Sequence, residues 1–344
     1  MTAGRETTAR RQGGASIHAC SRFASAPHRD LDVMRARGLD PGMVTVAPID
    51  PDDEAVVRAI LSHPAFPDAF RHVTRRFLDI HVGPHVTKLL ANEARFHIAQ
   101  FALALHGERM VGLSDSGITA ARLLERCVSR GIISRGRLDA TVLTLRRAGW
   151  LVDLPQGPDR RMKQLEPGPV LVKNFVDRLA FHMDALEMVM PGVGHAARLR
   201  DDPLFFWAWE AERGRVLSGV PTLRLRVPGL AALAAREGAY AVMVDLMDQA
   251  DRHAGCPPGL PPAGVIPFTL AAQARRQGMA RSQLGRILED MIAHGMVTPL
   301  PAEQQALRLE PVAVETMRVW YAIRLARFHF FAERGLRHLR QAAA

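Results

Sequence analysis

Arg135 and Arg137 open the segment RGRLDATVLTLRRAG, in which Leu138, Val142 and Leu145 recur at helical spacing. A guanidinium on the first turn of a helix can hydrogen-bond guanine O6 and N7 bidentately in the major groove of a duplex. Ser134 immediately before it is an N-cap candidate. The polar face of the same helix is assigned Arg135, Arg137, Ala140, Thr141 and Thr144. Gly149 stops the helix, since glycine accepts the left-handed backbone that follows a last turn. Trp150, Leu151 and Val152 on one side and Met162, Gln164 and Leu165 on the other bracket PQGPDRR, which reads as a hairpin. Asp159, Arg160, Arg161 and Lys163 near its tip suit sugar and phosphate of an adjacent minor groove. Such contacts position a protein on DNA without specifying sequence.

Other chemistry finds less support. His72, His81, His85 and His97, with Glu93, invite a metal site, but Gly83-Pro84 interrupts the helix that would align His81 with His85, and no HExxH occurs. Cys20, Cys127 and Cys256 are too scattered for a disulfide framework or zinc cluster, and Cys127 among Leu123, Leu124 and Val128 reads as a core thiol. There is no Gly-rich phosphate loop, GxSxG or spaced carboxylate pair. No metal, cofactor or enzymatic activity is expected.

The segment that would position Arg135 occurs twice. ARSQLGRILEDMIAHGMVTPLPAEQQALRLEP repeats its layout: Arg135 matches Arg281, Leu138 matches Leu284 and Gly149 matches Gly295, all 146 positions apart. Leu165-Glu166-Pro167 matches Leu309-Glu310-Pro311 at 144, which implies a hairpin two residues shorter. Leu284, Leu288, Met291 and Ile292 are expected inward, leaving Arg281, Ser282, Gln283 and Arg286 to face a groove. The second hairpin has Glu303, Gln304 and Gln305 where the first has Asp159, Arg160 and Arg161. Upstream, Asp202-Pro203-Leu204-Phe205 echoes His63-Pro64-Ala65-Phe66. These correspondences imply internal duplication: an arm over residues 1–49, too polar to order itself, a first repeat over 50–194 and a second over 195–344. Gly107 to Gly117 is expected as a loop. Long helices are expected near 86–106, 169–190, 230–251 and 312–339.

The net charge of +10 and pI near 10.7 favour a polyanionic partner. Lys occurs only at 88, 163 and 173, so the excess is carried by arginine. Every apolar run is broken by charge well short of a membrane span, and no apolar stretch follows the N-terminal arginines as in a signal peptide. A cytoplasmic protein without membrane contact is expected.

With Asp159-Arg160-Arg161 on the hairpin, Leu165-Glu166-Pro167 at its end and Arg147-Ala148-Gly149-Trp150-Leu151 before it, each repeat resembles a protomer of the MarR family of transcription regulators. The resemblance implies a mainly α fold with small β wings, as two winged helix-turn-helix repeats packed through long helices. It also implies double-stranded DNA as partner, an effector site for a small molecule, and a clasp of N- and C-terminal helices. One chain would then supply both halves of the family's dimer, a monomeric pseudo-dimer reading an asymmetric site. Two alternatives stay open: a winged-helix scaffold for protein contacts, and a plasmid-type replication initiator.

Overall fold

The computed structural model describes residues 51–81, 93–128, 133–154, 164–216, 233, 236–253 and 264–343. The expected arm lies outside them. Among the described residues three helices come first: α1 (Pro51–Ser62), α2 (Phe66–His81) and α3 (Glu93–Met110). Then follow β1 (Ile118–Thr119), α4 (Ala120–Cys127), α5 (Arg135–Arg147), β2 (Leu151–Asp153), β3 (Gln164–Pro167) and α6 (Pro169–Val189). The order then recurs. Helices α7 (His195–Asp201), α8 (Pro203–Val216) and α9 (Ala239–His253) precede β4 (Val265–Pro267), α10 (Leu270–Gln277), α11 (Arg281–Ala293), β5 (Val297–Pro299), β6 (Ala306–Leu309) and α12 (Pro311–Ala343). A 3-10 turn, Ala302–Gln304, lies between β5 and β6.

The described residues are therefore mainly helical with two small antiparallel sheets, β1-β3-β2 and β4-β6-β5, each with its last strand in the middle. Leu165 stands opposite Ile118 and Asp153, and Leu307 opposite Ile266 and Pro299. Leu165 thus corresponds to Leu307, 142 positions on, and α6 and α12 start 142 apart at Pro169 and Pro311. This corrects the Leu-Glu-Pro match, which lies two positions out of register. A slip of two leaves every strand residue on its own face, so the apolar pattern alone cannot reveal it.

Packing between the halves is reciprocal. Helix α3 packs on α8, and their counterparts α9 and α2 pack on each other. Likewise α1 lies against α12 and α7 against α6, while α6 and α12 also touch. Even the helix starts agree. Phe66 N–H donates to His63 C=O at 2.9 Å and Phe205 N–H to Asp202 C=O at 3.0 Å. His63 Nδ1 and Asp202 Oδ1 each accept a backbone N–H two residues on. Residues 47–344 form one compact unit.

The α3/α8 crossing is unusually close. A Cβ at Gly107 would meet the Trp207 carbonyl oxygen at 2.5 Å, and one at Gly214 would meet Ala104 Cβ at 2.3 Å. Gly107 therefore belongs to a helix that continues to Met110, where the sequence reading began a loop. Helix α8 is buried nearly all round, including Glu210, Glu212 and Arg213. Cys127 is buried in the core. Among the described residues no helix is long and apolar enough to cross a membrane.

Candidate nucleic-acid interface

Each short helix pair is held by matching local devices. Thr119 caps α4 by accepting from Arg122 N–H at 3.2 Å, and Thr269 caps α10 by accepting from Ala272 N–H at 3.2 Å. Gly149 (φ 69°) ends α5 and Gly295 (φ 65°) ends α11. Beyond them, Trp150 N–H reaches back to Leu145 C=O and Met296 N–H to Met291 C=O, both at 2.9 Å. These are the six-to-one bonds of a left-handed C-cap.

A buried carboxylate on the underlying long helix anchors each pair. Glu108 of α3 accepts from Arg122 Nη2 at 2.6 Å and Arg126 Nη2 at 2.7 Å. Asp245 of α9 accepts from Gln273 Nε2 at 2.6 Å and Arg276 Nε at 2.7 Å. Sequence reasoning missed both. The available signal was an acid in an apolar helix opposite an arginine near the end of the next one.

The outer ends of α5 and α11 carry the groove-facing candidates. Ser134, Arg135 and Arg137 are exposed. Ser134 occupies the N-cap position with extended backbone, but its side chain makes no capping bond. Thr141 requires correction: it is only 6% exposed, so it faces the core. Three residues after Leu138 and four before Leu145, it lies on their stripe. Its counterpart in α11 is the fully buried Ile287.

In α11, Arg281, Ser282 and Arg286 are exposed, and Arg286 Nε donates to Ser282 C=O at 3.3 Å. Gln283 is half-buried and donates to Glu237 C=O at 3.2 Å, which commits its amide to the scaffold. Leu284, Leu288 and Met291 are buried as expected, whereas Ile292 is exposed and Ile287 takes its place inside. Asp159, Arg160, Arg161 and Lys163 lie outside the described residues. Glu303, Gln304 and Gln305 are exposed on the second hairpin, with Gln305 in the left-handed region (φ 44°).

Two arginine-led helix starts thus stand on equivalent elements. No family model, curated protein or solved structure matches the chain.

The His-rich segment makes no metal cluster among the described residues. His81 and His85 are not described at side-chain level, while His97 Nδ1 shares a hydrogen bond with Gln100 Oε1 at 3.2 Å. Among the described residues the fold does bring together one metal-capable group, His195, His329 and Glu333. His329 and Glu333 are four apart on one helix, which is legible. His195 lies 134 residues earlier, which is not.

Proposed function

We propose that the chain is a sequence-specific double-stranded-DNA-binding transcription regulator made of two winged helix-turn-helix units, a single-chain pseudo-dimer similar in plan to the MarR family. The observation that carries this reading is the recurrence of strand, helix, helix, strand, strand, helix with the same strand order and reciprocal packing of the supporting helices. In a helix-turn-helix the second helix enters the major groove by its N-terminal residues. That role falls to α5 and α11, both 13 residues long and both beginning with arginine.

Arg135 and Arg137 would read base edges, and Arg281 with Arg286 would do so in the second half. Gln283 serves the fold first. The hairpins differ in charge, so the first half makes the stronger phosphate contact and the operator is asymmetric. The small-molecule effector belongs to the same reading, as a ligand of the helical scaffold.

The test is enrichment of bound genomic fragments by wild type and by an Arg135→Ala, Arg137→Ala variant. Each lost bidentate contact costs about 1–3 kcal/mol, or roughly 5- to 150-fold in affinity at the matched base. Unchanged enrichment removes α5 from the interface. Affinity for random duplex should fall steeply with salt, and a flat response favours a protein-contact scaffold. Preference for origin repeats over promoters points to a replication initiator. Light scattering should give a monomer; a dimer through these same helices defeats the pseudo-dimer.

A further inference from the structure

We propose that His195, His329 and Glu333 bind one divalent transition-metal ion of the zinc type, at the junction of the two halves. His195 opens α7 directly after the turn that follows α6, and His329 and Glu333 lie one turn apart on α12. His195 Nε2 is 3.0 Å from His329 Nδ1 and 3.6 Å from Glu333 Oε1, and the three ligand atoms lie within 4.8 Å of one another. Two atoms each about 2.1 Å from a common ion lie about 3.0 Å apart at a right angle and about 3.4 Å at the tetrahedral angle. The observed pair of distances straddles the tetrahedral one, so an ion needs little rearrangement to fit.

The chemistry of the donors agrees with the geometry. Burial pushes both histidines below their ordinary value, and His329 lowers His195 further while Glu333 draws both upward. Neutral imidazoles keep a lone pair for a metal at pH 7. Two imidazoles and a carboxylate suit zinc and its neighbours rather than calcium or magnesium. His195 is fully buried, whereas the Glu333 side chain is about half exposed, which gives the ion an entry path and a place for water. His195 Nδ1 has no hydrogen-bond partner. An outer partner of that kind is worth about 10–100-fold in affinity, so binding should be weaker than at a structural zinc site.

An ion held here would tie the connection between the halves to the last helix. The proposal does not depend on DNA reading. Its test is titration of chelator-treated full-length protein with Co²⁺ and Zn²⁺, followed by Co²⁺ visible absorption and by calorimetry. One ion per chain is expected, with absorption intensity typical of four- or five-coordinate cobalt. His329→Ala and Glu333→Gln should each weaken binding at least tenfold while keeping the wild-type circular dichroism, and His253→Ala should bind as wild type does. No saturable binding, or equal binding by all three variants, overturns the site and leaves a neutral His195–His329 hydrogen bond in its place. Should one variant misfold, the other decides.

Discussion

Arg126 donates to the buried carboxylate of Glu108 at 2.7 Å, and Arg276 in the second half donates to Asp245 at 2.7 Å. Each arginine lies on the first helix of a pair, and each acid on the long helix beneath. The bonds therefore set how the following helix stands on the scaffold. Glu108→Ala removes the acceptor for both Arg122 and Arg126 and should lower unfolding free energy by about 3 kcal/mol, as when one partner of a buried pair is lost. Denaturant titration measures the loss, and hydrogen exchange should localise it to Ala120–Cys127. Exchange that rises uniformly along the chain would show that Glu108 supports the core at large.

Glycines separate close packing from open surface. Gly214→Ala places a methyl group 2.3 Å from Ala104 Cβ, so overpacking of about 1–3 kcal/mol should outweigh any gain in helix propensity. Gly285→Ala, inside α11 with nothing within 4 Å of the new atom, should instead stabilise by up to about 1 kcal/mol. Thermal melts of both variants give the two signs directly. A stabilised Gly214→Ala would mean that α3 and α8 can move apart at little cost.

Much of the recurrent element order is legible because local chemistry repeats with it. Leu138 with Leu284 and Gly149 with Gly295 mark helix faces and helix ends, which neighbouring residues largely decide. Thr141 is buried and Ile292 exposed because angular position on the helix outweighs residue polarity. The Leu-Glu-Pro echo misled because strand registers two apart look alike from sequence. Gly107 opens an expected loop, whereas its small size admits α8, a helix more than ninety residues downstream. Glu108, Asp245 and the His195–His329 pair gain meaning only from partners on other helices, and single-sequence spacing does not carry such pairings. The arginine-rich hairpin tip falls outside the described residues, so the candidate interface rests on α5 and α11.

Acid should destabilise the fold earlier than carboxylate titration alone would. His182 is buried between Phe181 and Phe328, and burial holds its imidazole well below the ordinary value of about 6.5. Burial also depresses His72, His97, His106, His195 and His329. A histidine kept neutral in the fold takes a proton on unfolding once pH drops below its unfolded value. Its contribution is therefore complete above about pH 6.5 and declines as pH falls, by up to about 1.4 kcal/mol per pH unit for each group. Denaturation midpoints between pH 7.5 and 5 should fall accordingly, and His182→Leu should make the slope shallower. An unchanged slope in that variant would place the proton uptake elsewhere.

Glu210 and Arg213 form a buried ion pair one turn apart on α8. Arg213 Nε donates to Glu210 Oε2 at 2.9 Å, both side chains are buried, and the guanidinium also lies over Trp209 and Phe175 at 5.4 and 5.7 Å from the ring centres. Burial pushes the Glu210 carboxyl up against the pull of Arg213, so the pair carries a desolvation cost that its attraction only partly offsets. Removing one partner strands the other. Glu210→Ala should therefore cost about 3–5 kcal/mol, whereas Glu210→Leu with Arg213→Met should recover most of that loss, since apolar replacement of both members ends the desolvation cost. Denaturant midpoints of the single and double variants form the comparison. A double variant as unstable as Glu210→Ala would mean that the pair, and the stacking of Arg213 on its two rings, specifies the packing of α8 in a way that apolar volume does not replace.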